Sequence, residues 1–357
     1  MKKGPPYPIC WNKGHLWLLD QRLLPHIVKY RQIRTIKECH EAIKSMVVRG
    51  APCIGFTGLF GLVLWVHSRR SILLDDFISA ARFLKEARPT AVNLATEIDS
   101  GILLARNLEQ SGRLRELPRK ILAFAQMRMD SAEADNLSMA KAMADELKKK
   151  YGTRPLRLLT HCNTGVLACG KLGTALGAIS FLHGKKRVER VWVDETRPYL
   201  QGSRLTSFEL LHEGIRHDIV VEGVASHLMR SGMIDAVLVG ADRIARNGDT
   251  ANKIGTATLA VVAFHYGVPF YVLAPTSSFD LSIASGEDIP IEIRDENEIL
   301  CYGGVNAKRI APKGAHAFNP SFDITTHDLI TGIFCEKGSI TPVNEKKLLR
   351  VTGGEKK

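Results

Sequence analysis

The sequence predicts an α/β protein in two parts: a mainly helical N-terminal part opening on a small sheet, then a parallel sheet with helices on both faces. Three observations carry this. From Leu156 to Ala274, short apolar runs alternate with helical segments at the spacing of βαβ units. From Ile33 to Lys150, apolar residues instead recur at three- and four-residue steps. The chain's 357 residues, 45% hydrophobic and 24% charged, suit one large domain or two ordinary ones and exclude disordered or collagen-like chains.

Each element follows from a local pattern. Residues 17–25 alternate briefly and turn at Pro25, predicting the small sheet. Leu84, Ala87, Ala91, Leu94 and Ile98 keep a helical period around Arg88 and Pro89, where proline predicts a break. Residues 133–150 are charged and Ala-rich and predict one exposed helix; Lys148, Lys149 and Lys150 suit its negative dipole end. Gly152 and Pro155 then punctuate the chain, giving expected domains 1–152 and 153–357. Strands are expected at 156–162, 188–194, 218–222, 236–240 and 270–274. Helices are expected between them at 163–183, 205–212, 224–231 and 253–266. The polar tail, 345–357, is expected to fray.

Composition narrows the function classes. With 49 Lys and Arg against 37 Asp and Glu, the net charge of +12 favours an anionic partner: nucleic acid, membrane surface or phosphorylated metabolite. The longest apolar run, 53–66, is too short to span a bilayer and is interrupted by Gly55, Gly58 and Gly61, so no membrane partner is expected. The basic run Lys185-Lys186-Arg187 has no interleaved aromatics and reads as a solvated turn, so no nucleic acid is expected. The first residues show no signal-peptide pattern. Seven cysteines, an odd number without a C-x-x-C pair, exclude a disulfide framework and a zinc ribbon and point to a reducing cytoplasm. His15, His26, His183 and His227 show no metal-ligand spacing, and neither a Walker sequence nor G-x-G-x-x-G follows a strand.

Ligands of an open parallel sheet sit beyond the carboxyl ends of its strands. Those ends carry Thr160-His161-Cys162-Asn163, Asp194-Glu195-Thr196-Arg197 running on to Gln201, Gly240-Ala241-Asp242-Arg243, and Ala274-Pro275-Thr276. Asn252-Lys253-Ile254-Gly255-Thr256 is a candidate phosphate cradle opening a helix, although an ordinary capped helix explains that fragment better. Arg49-Gly50-Ala51-Pro52 is a second candidate, equally a surface loop, with Pro52 suited to a first helical turn. Alone, Cys162 reads as a packing thiol and Asp242 as a helix cap; on adjoining strand ends they point to a site.

From about Trp17 to Ile340 the chain resembles the methylthioribose-1-phosphate isomerases of methionine salvage. The resemblance is carried by Leu19-Asp20-Gln21, Arg49-Gly50-Ala51-Pro52, Arg88-Pro89-Thr90-Ala91-Val92-Asn93-Leu94, Thr160-His161-Cys162-Asn163, Asp194-Glu195-Thr196-Arg197-Pro198, Leu200-Gln201-Gly202, Gly240-Ala241-Asp242-Arg243-Ile244 and Asn252-Lys253-Ile254-Gly255-Thr256. It implies a Rossmann-like parallel sheet domain preceded by a mainly helical N-terminal domain with a small antiparallel sheet. It also implies a homodimer, a small-molecule sugar phosphate as partner, and no metal or nucleotide cofactor. Catalytic roles fall to Asp242, as acid and proton shuttle, and to Cys162, which assists at C1–C2. Substrate-binding roles fall to Arg49, Gly50, Ala51, Arg88, Gln201, Asn252 and Lys253. Cys53, Ile293 and Thr326 depart from the family's usual residues, which leaves the sugar's 5-substituent open. The wider superfamily adds isomerases of a 5-deoxyribose 1-phosphate or ribose 1,5-bisphosphate, and non-catalytic regulatory subunits of a translation factor.

Overall fold

The small sheet forms where alternation turns Leu16 and Leu18 of β2 (His15–Leu19) to one face, both fully buried, with Leu19 buried as well at the strand's end. A computed structural model of the chain describes residues 4–89, 91–302 and 307–353. In it β1 (Ile9–Asn12), β2 and β3 (Tyr30–Ile33) pair antiparallel in that order, so the sheet extends to both sides of residues 17–25: only 17–19 are strand, and the rest of that stretch lies in the connection from β2 to β3. Lys13 and Gly14, both at positive φ, make the two-residue turn that matches strand twist. Helices α1 (Ile36–Lys44), α2 (Ala51–His67), α3 (Leu74–Lys85), α4 (Val92–Gln110) and α5 (Leu117–Tyr151) follow.

The apolar run expected at 53–66 is α2, hydrophobic all round and accordingly buried on every side. Its glycines are contact points. A Cβ on Gly55 would come 2.9 Å from the Asn93 carbonyl, and one on Gly58 2.7 Å from Leu94, both on α4. The break at Arg88 and Pro89 separates α3 from α4 as expected; Thr90 of the same motif lies outside the described residues. The helix expected to be exposed over 133–150 is the second half of α5, and it is not exposed: Met139, Ala140, Met143 and Leu147 are fully buried along one face. Its charged residues masked that apolar stripe. The chain packs as two compact units. One comprises Pro6–Ala134 with Val166–Leu172; the other comprises Asp135–Gly165 and Gly173–Lys357 with Met1–Pro5. We keep 1–152 and 153–357 as proposed domain limits.

The second unit runs β4 (Leu156–Thr160), α6 (Val166–Cys169, assigned to the first unit), α7 (Ala175–Gly184), β5 (Val188–Asp194), α8 (Ser207–Glu213), β6 (His217–Val220), α9 (Val224–Arg230) and β7 (Ala236–Val239). Then come β8 (Arg243–Ala245), β9 (Thr250–Lys253), α10 (Thr256–His265), β10 (Phe270–Leu273), β11 (Phe279–Asp280), α11 (Asn297–Leu300), β12 (Cys301–Tyr302), β13 (Lys308–Arg309), β14 (Phe322–Thr325), β15 (Gly332–Cys335), β16 (Gly338–Ile340) and α12 (Glu345–Thr352). The main sheet has the order β16-β15-β10-β7-β4-β5-β6, parallel except for β16. The chain builds outward from β4 through β5 to β6, then returns to the other side of β4 as β7, β10 and β15. That is the strand order of doubly wound dinucleotide-type folds, and it sets a topological switch point between β4 and β7.

Alternation along the strands covers both faces. Leu158, Val191, Val193, Leu238 and Leu273 pack with α5 and α7, whereas Leu159, Trp192, Val237, Val239 and Val272 pack with α9, α10 and Leu348 of α12. A second sheet, β11-β8-β9-β14, was not legible in the sequence because its strands are two to four residues long.

Three sequence expectations change. The helix expected at 163–183 is interrupted between α6 and α7: Gly170 adopts φ +102, and a Cβ on Gly173 would overlap the Thr164 carbonyl. The helix expected at 253–266 starts only at Thr256, because Asn252 and Lys253 extend β9. The tail does not fray: α12, capped by the Asn344 side chain, buries Leu348, while residues 354–357 lie outside the described residues.

At the amino ends of the strands, Asp235 accepts from Arg154 Nη2 at 2.7 Å, from the Arg157 amide at 2.7 Å and from Arg157 Nη2 at 3.0 Å. Burial raises the Asp235 pKa, but these hydrogen bonds outweigh it and bring it down to about 2. Because the folded-state value is depressed, the stabilisation is fully present above the ordinary carboxyl range and is lost as pH falls from about 4 to about 2. With Arg154 half exposed, Asp235→Asn is expected to lower stability by about 1–2 kcal/mol at neutral pH. Urea unfolding of both proteins checks this; the difference should shrink as the pH is lowered through that window.

Candidate active site

Cys162 stands two residues past β4, where the chain leaves the sheet in a left-handed turn (φ +65). A side chain rarely adopts that conformation, which costs about 1–3 kcal/mol and persists only where the surroundings impose it. Here they do. The Cys162 amide donates to Thr196 Oγ1 at 2.9 Å, and that hydroxyl donates to the Asp194 carbonyl at 2.9 Å. The Cys162 carbonyl accepts from the Thr206 hydroxyl at 2.6 Å. Asn163 extends the clamp, donating to Glu209 Oε1 at 2.8 Å from its buried amide. Cys162 as a whole is 6% exposed.

The preceding residue, His161, is wholly buried. Its Nε2 lies 2.9 Å from the Ile254 carbonyl, which can only accept, so Nε2 carries a hydrogen. Its Nδ1 lies 3.0 Å from Asp194 Oδ2. Burial opposes the charged imidazole, but the hydrogen bond and charge of Asp194 hold the His161 pKa above its ordinary value. Burial likewise raises Asp194, against the pull of His161.

Asp242 follows β7, the strand beside β4, and is partly buried. Gly240 packs so close that a Cβ there would come 2.6 Å from Thr164 Cγ2, so the two strand ends adjoin. The Asp242 amide donates to the Ala251 carbonyl at 2.9 Å, which sets β9, with Asn252 and Lys253, alongside it. Both β9 side chains are buried. Asn252 Nδ2 donates to Thr256 Oγ1 at 3.0 Å, and Lys253 Nζ donates to the Ser321 carbonyl at 2.6 Å while lying 4.3 Å from the Phe322 ring centroid. Gln201 follows β5; its side chain is buried, and its Oε1 has no hydrogen-bond partner among the described residues. A buried amide oxygen left open in this way suits a donor from a ligand, such as a sugar hydroxyl.

The start of α10 is an ordinary capped helix end, the reading preferred for that fragment, and its amides do not form an open phosphate cradle. Asp323 Oδ2 accepts from the Gly255 amide at 2.7 Å and also from the Ala257 amide, so a carboxylate already occupies the positive end of that helix. Any role of Asn252 and Lys253 toward phosphate rests on their side chains.

The structure thus brings Cys162, Gln201, Asp242, Asn252 and Lys253 into one unit, at the carboxyl edge of its sheet. Arg49, Gly50, Ala51 and Arg88 belong to the other unit. There Gly50 is the N-cap of α2 at φ +93, and a Cβ on it would overlap Ala168. That close approach requires glycine. Arg49 lies near enough to Cys53 for its charge to lower that thiol's pKa, though burial drives it strongly upward. Arg88 is partly buried in the turn between α3 and α4. His161, Asp194, Thr196 and Thr206 escaped the sequence reading as working residues. For His161, Asp194 and Thr196 the only sequence signal was position at strand ends, and Thr206, inside an expected helix, had none, since no spacing rule links 161 to 194 or 162 to 206.

A doubly wound sheet with a thiol, a carboxyl and a buried lysine gathered at its switch point defines an α/β protein of the small-metabolite-binding class. The chain belongs to the initiation factor 2 subunit family, whose model matches residues 47–342, and within it to the methylthioribose-1-phosphate isomerases. It is 44% identical to the methylthioribose-1-phosphate isomerase of Gloeobacter violaceus over 94% of this chain and 93% of that one. To the enzyme of that name from Thermus thermophilus it is 43% identical over 99% of each chain. The crystal structure of 5-methylthioribose 1-phosphate isomerase from Pyrococcus horikoshii superposes with a TM-score of 0.87 at 37% identity, covering 98% of this chain and 97% of that one. A structure titled translation initiation factor eIF-2B, subunit delta, from A. fulgidus gives 0.83 at 34% identity, covering 98% and 100%.

Proposed function

We propose that the chain converts S-methyl-5-thio-ribose 1-phosphate to S-methyl-5-thio-ribulose 1-phosphate in methionine salvage. The observation that carries this reading is the pairing of Cys162 and Asp242 on adjoining strand ends, in a chain whose relatives bear that enzyme's name.

The phosphate on the anomeric carbon masks the aldehyde, so the ring must open before a ketose can form. Asp242 delivers a proton to the ring oxygen as the C1–O bond breaks. The hydrogen on C2 ends on C1, the C2 hydroxyl gives up its proton to the Asp242 carboxylate, and C2 becomes a carbonyl. No atom leaves, and Asp242 ends as it began. Cys162, fixed by Thr196 and Thr206, flanks C1–C2 as the transfer partner. Arg49 and Lys253 hold the phosphate, Gly50 and Ala51 offer it backbone N–H groups, and Arg88, Gln201 and Asn252 bind the rest of the sugar phosphate. The scheme requires that water be kept from the oxocarbenium-like centre, which it would otherwise hydrolyse. No metal or nucleotide takes part in this scheme. The likeness to the A. fulgidus chain supports a second reading, a non-catalytic regulatory subunit.

Initial rates on S-methyl-5-thio-ribose 1-phosphate beside 5-deoxyribose 1-phosphate and ribose 1,5-bisphosphate separate these readings. The methylthio sugar should give the highest kcat/KM; preference for another sugar moves the substrate, and no turnover of any supports the regulatory reading. We also propose a cytoplasmic homodimer, for which light scattering should give twice the 39.5 kDa chain mass. A single-chain mass at micromolar concentration contradicts it.

Thiol labelling supplies another check. The helix once expected to begin beside Cys162 is only four residues long and starts at Val166, so it gives that thiol little dipole activation. Cys10 and Cys301 are the partly exposed thiols and should alkylate first without loss of activity. Inactivation should follow the slower labelling of Cys162, and bound product should retard it. Inactivation that tracks another cysteine makes Cys162 a packing residue.

A further inference from the structure

The buried ring of His161 joins two parts of the site: the β4 end carrying Cys162 and the end of β9 carrying Asn252 and Lys253. The Ile254 carbonyl that it binds belongs to the residue next to Lys253. On the other side the ring is held by Asp194, at the end of β5, in the segment that leads to Thr196 and Gln201. The second Asp194 oxygen is buried and makes no hydrogen bond among the described residues, so the carboxylate is committed to the imidazole. The backbone also closes in on the ring at Gly255. A Cβ on Gly255, a residue at φ +101, would come 3.0 Å from His161 Cε1 and 3.3 Å from Nε2.

We propose that His161 is a positioning residue of the isomerase: a latch, steadied by Asp194, that sets the β9 end with Asn252 and Lys253 against the strand end bearing Cys162. This rests on the function proposed above. The latch acts through where it holds Lys253 and Asn252, so its loss should appear in substrate binding as well as in turnover.

The two ring nitrogens can be separated by substitution. His161→Gln places an amide nitrogen near the position of Nε2 and keeps a donor for the Ile254 carbonyl. His161→Asn places one near Nδ1 and keeps only the Asp194 side. Since misplacement by about 1 Å costs about a hundredfold, His161→Asn should raise KM for the sugar phosphate about tenfold and lower kcat by a further factor of about ten. His161→Gln should restore KM to within about threefold of the wild type. If both variants instead lose thermal stability equally while their folded fractions keep wild-type KM and kcat, His161 is a core histidine and the proposal falls. Equal kinetic damage in the two, with no recovery by glutamine, overturns it as well. A readout independent of turnover and of either variant's folding is the imidazole itself. In 15N-histidine-labelled wild-type protein, the His161 Nε2 should carry a hydrogen-bonded proton that exchanges slowly with water. A ring with Nε2 unprotonated or freely exchanging removes the latch. Loss of isomerase activity in the wild type alone would overturn the functional reading but leave that ring signal as predicted.

Discussion

Asp242→Asn is expected to lower kcat by at least about a hundredfold while leaving the fold and sugar-phosphate binding in place. Asparagine has the shape of aspartate and can accept hydrogen bonds, but it has no proton to deliver to the ring oxygen and no basic oxygen to receive one back. The Asp242 backbone, which ties β7's end to Ala251, is untouched by the change. Turnover and calorimetric binding of the ketose product, measured together, test both halves. Near-normal turnover removes Asp242 from the mechanism, and loss of binding in step with turnover makes it a structural residue.

Lys253→Ala is expected to weaken binding of phosphorylated ligands by about 2–5 kcal/mol, the scale for removing one partner of a buried charge pair. Arg49→Ala should act in the same direction. Binding of the unphosphorylated methylthio sugar should hardly change. The comparison is needed because Lys253 is also built into the fold, donating to the Ser321 carbonyl and lying over Phe322. Equal losses for both sugars would show that its work is structural.

Much of this arrangement was legible in the sequence where one periodicity persists over a strand or helix. Val188 to Asp194 is a strand in the structure with the limits its pattern predicts, and the other four expected strands lie within two residues of their predicted ends. Cys162 and Asp242 were legible as candidates because the strand-end rule needs only the strands to be right, and the structure sets the two on neighbouring strand ends. What failed was what depends on packing between distant residues. The stop between α6 and α7 comes from the left-handed turn at Gly170 and from the close approach of the Thr164 carbonyl to Gly173. Lys253 stays in a strand because β14, 69 residues later, pairs with it through Phe322. The carboxylate filling the start of α10 comes from that same distant strand, at Asp323. The buried face of α5 was hidden behind the charges of its other face.

The central claim is that this chain moves a hydrogen from C2 to C1 of an aldose 1-phosphate without releasing the phosphate. The most direct measurement is a time course by proton and phosphorus NMR of wild-type protein with S-methyl-5-thio-ribose 1-phosphate. The account predicts conversion of the anomeric phosphate signal to that of a primary phosphate on a ketose, with no inorganic phosphate appearing. A substrate that persists unchanged, or that yields free sugar and inorganic phosphate, would contradict it.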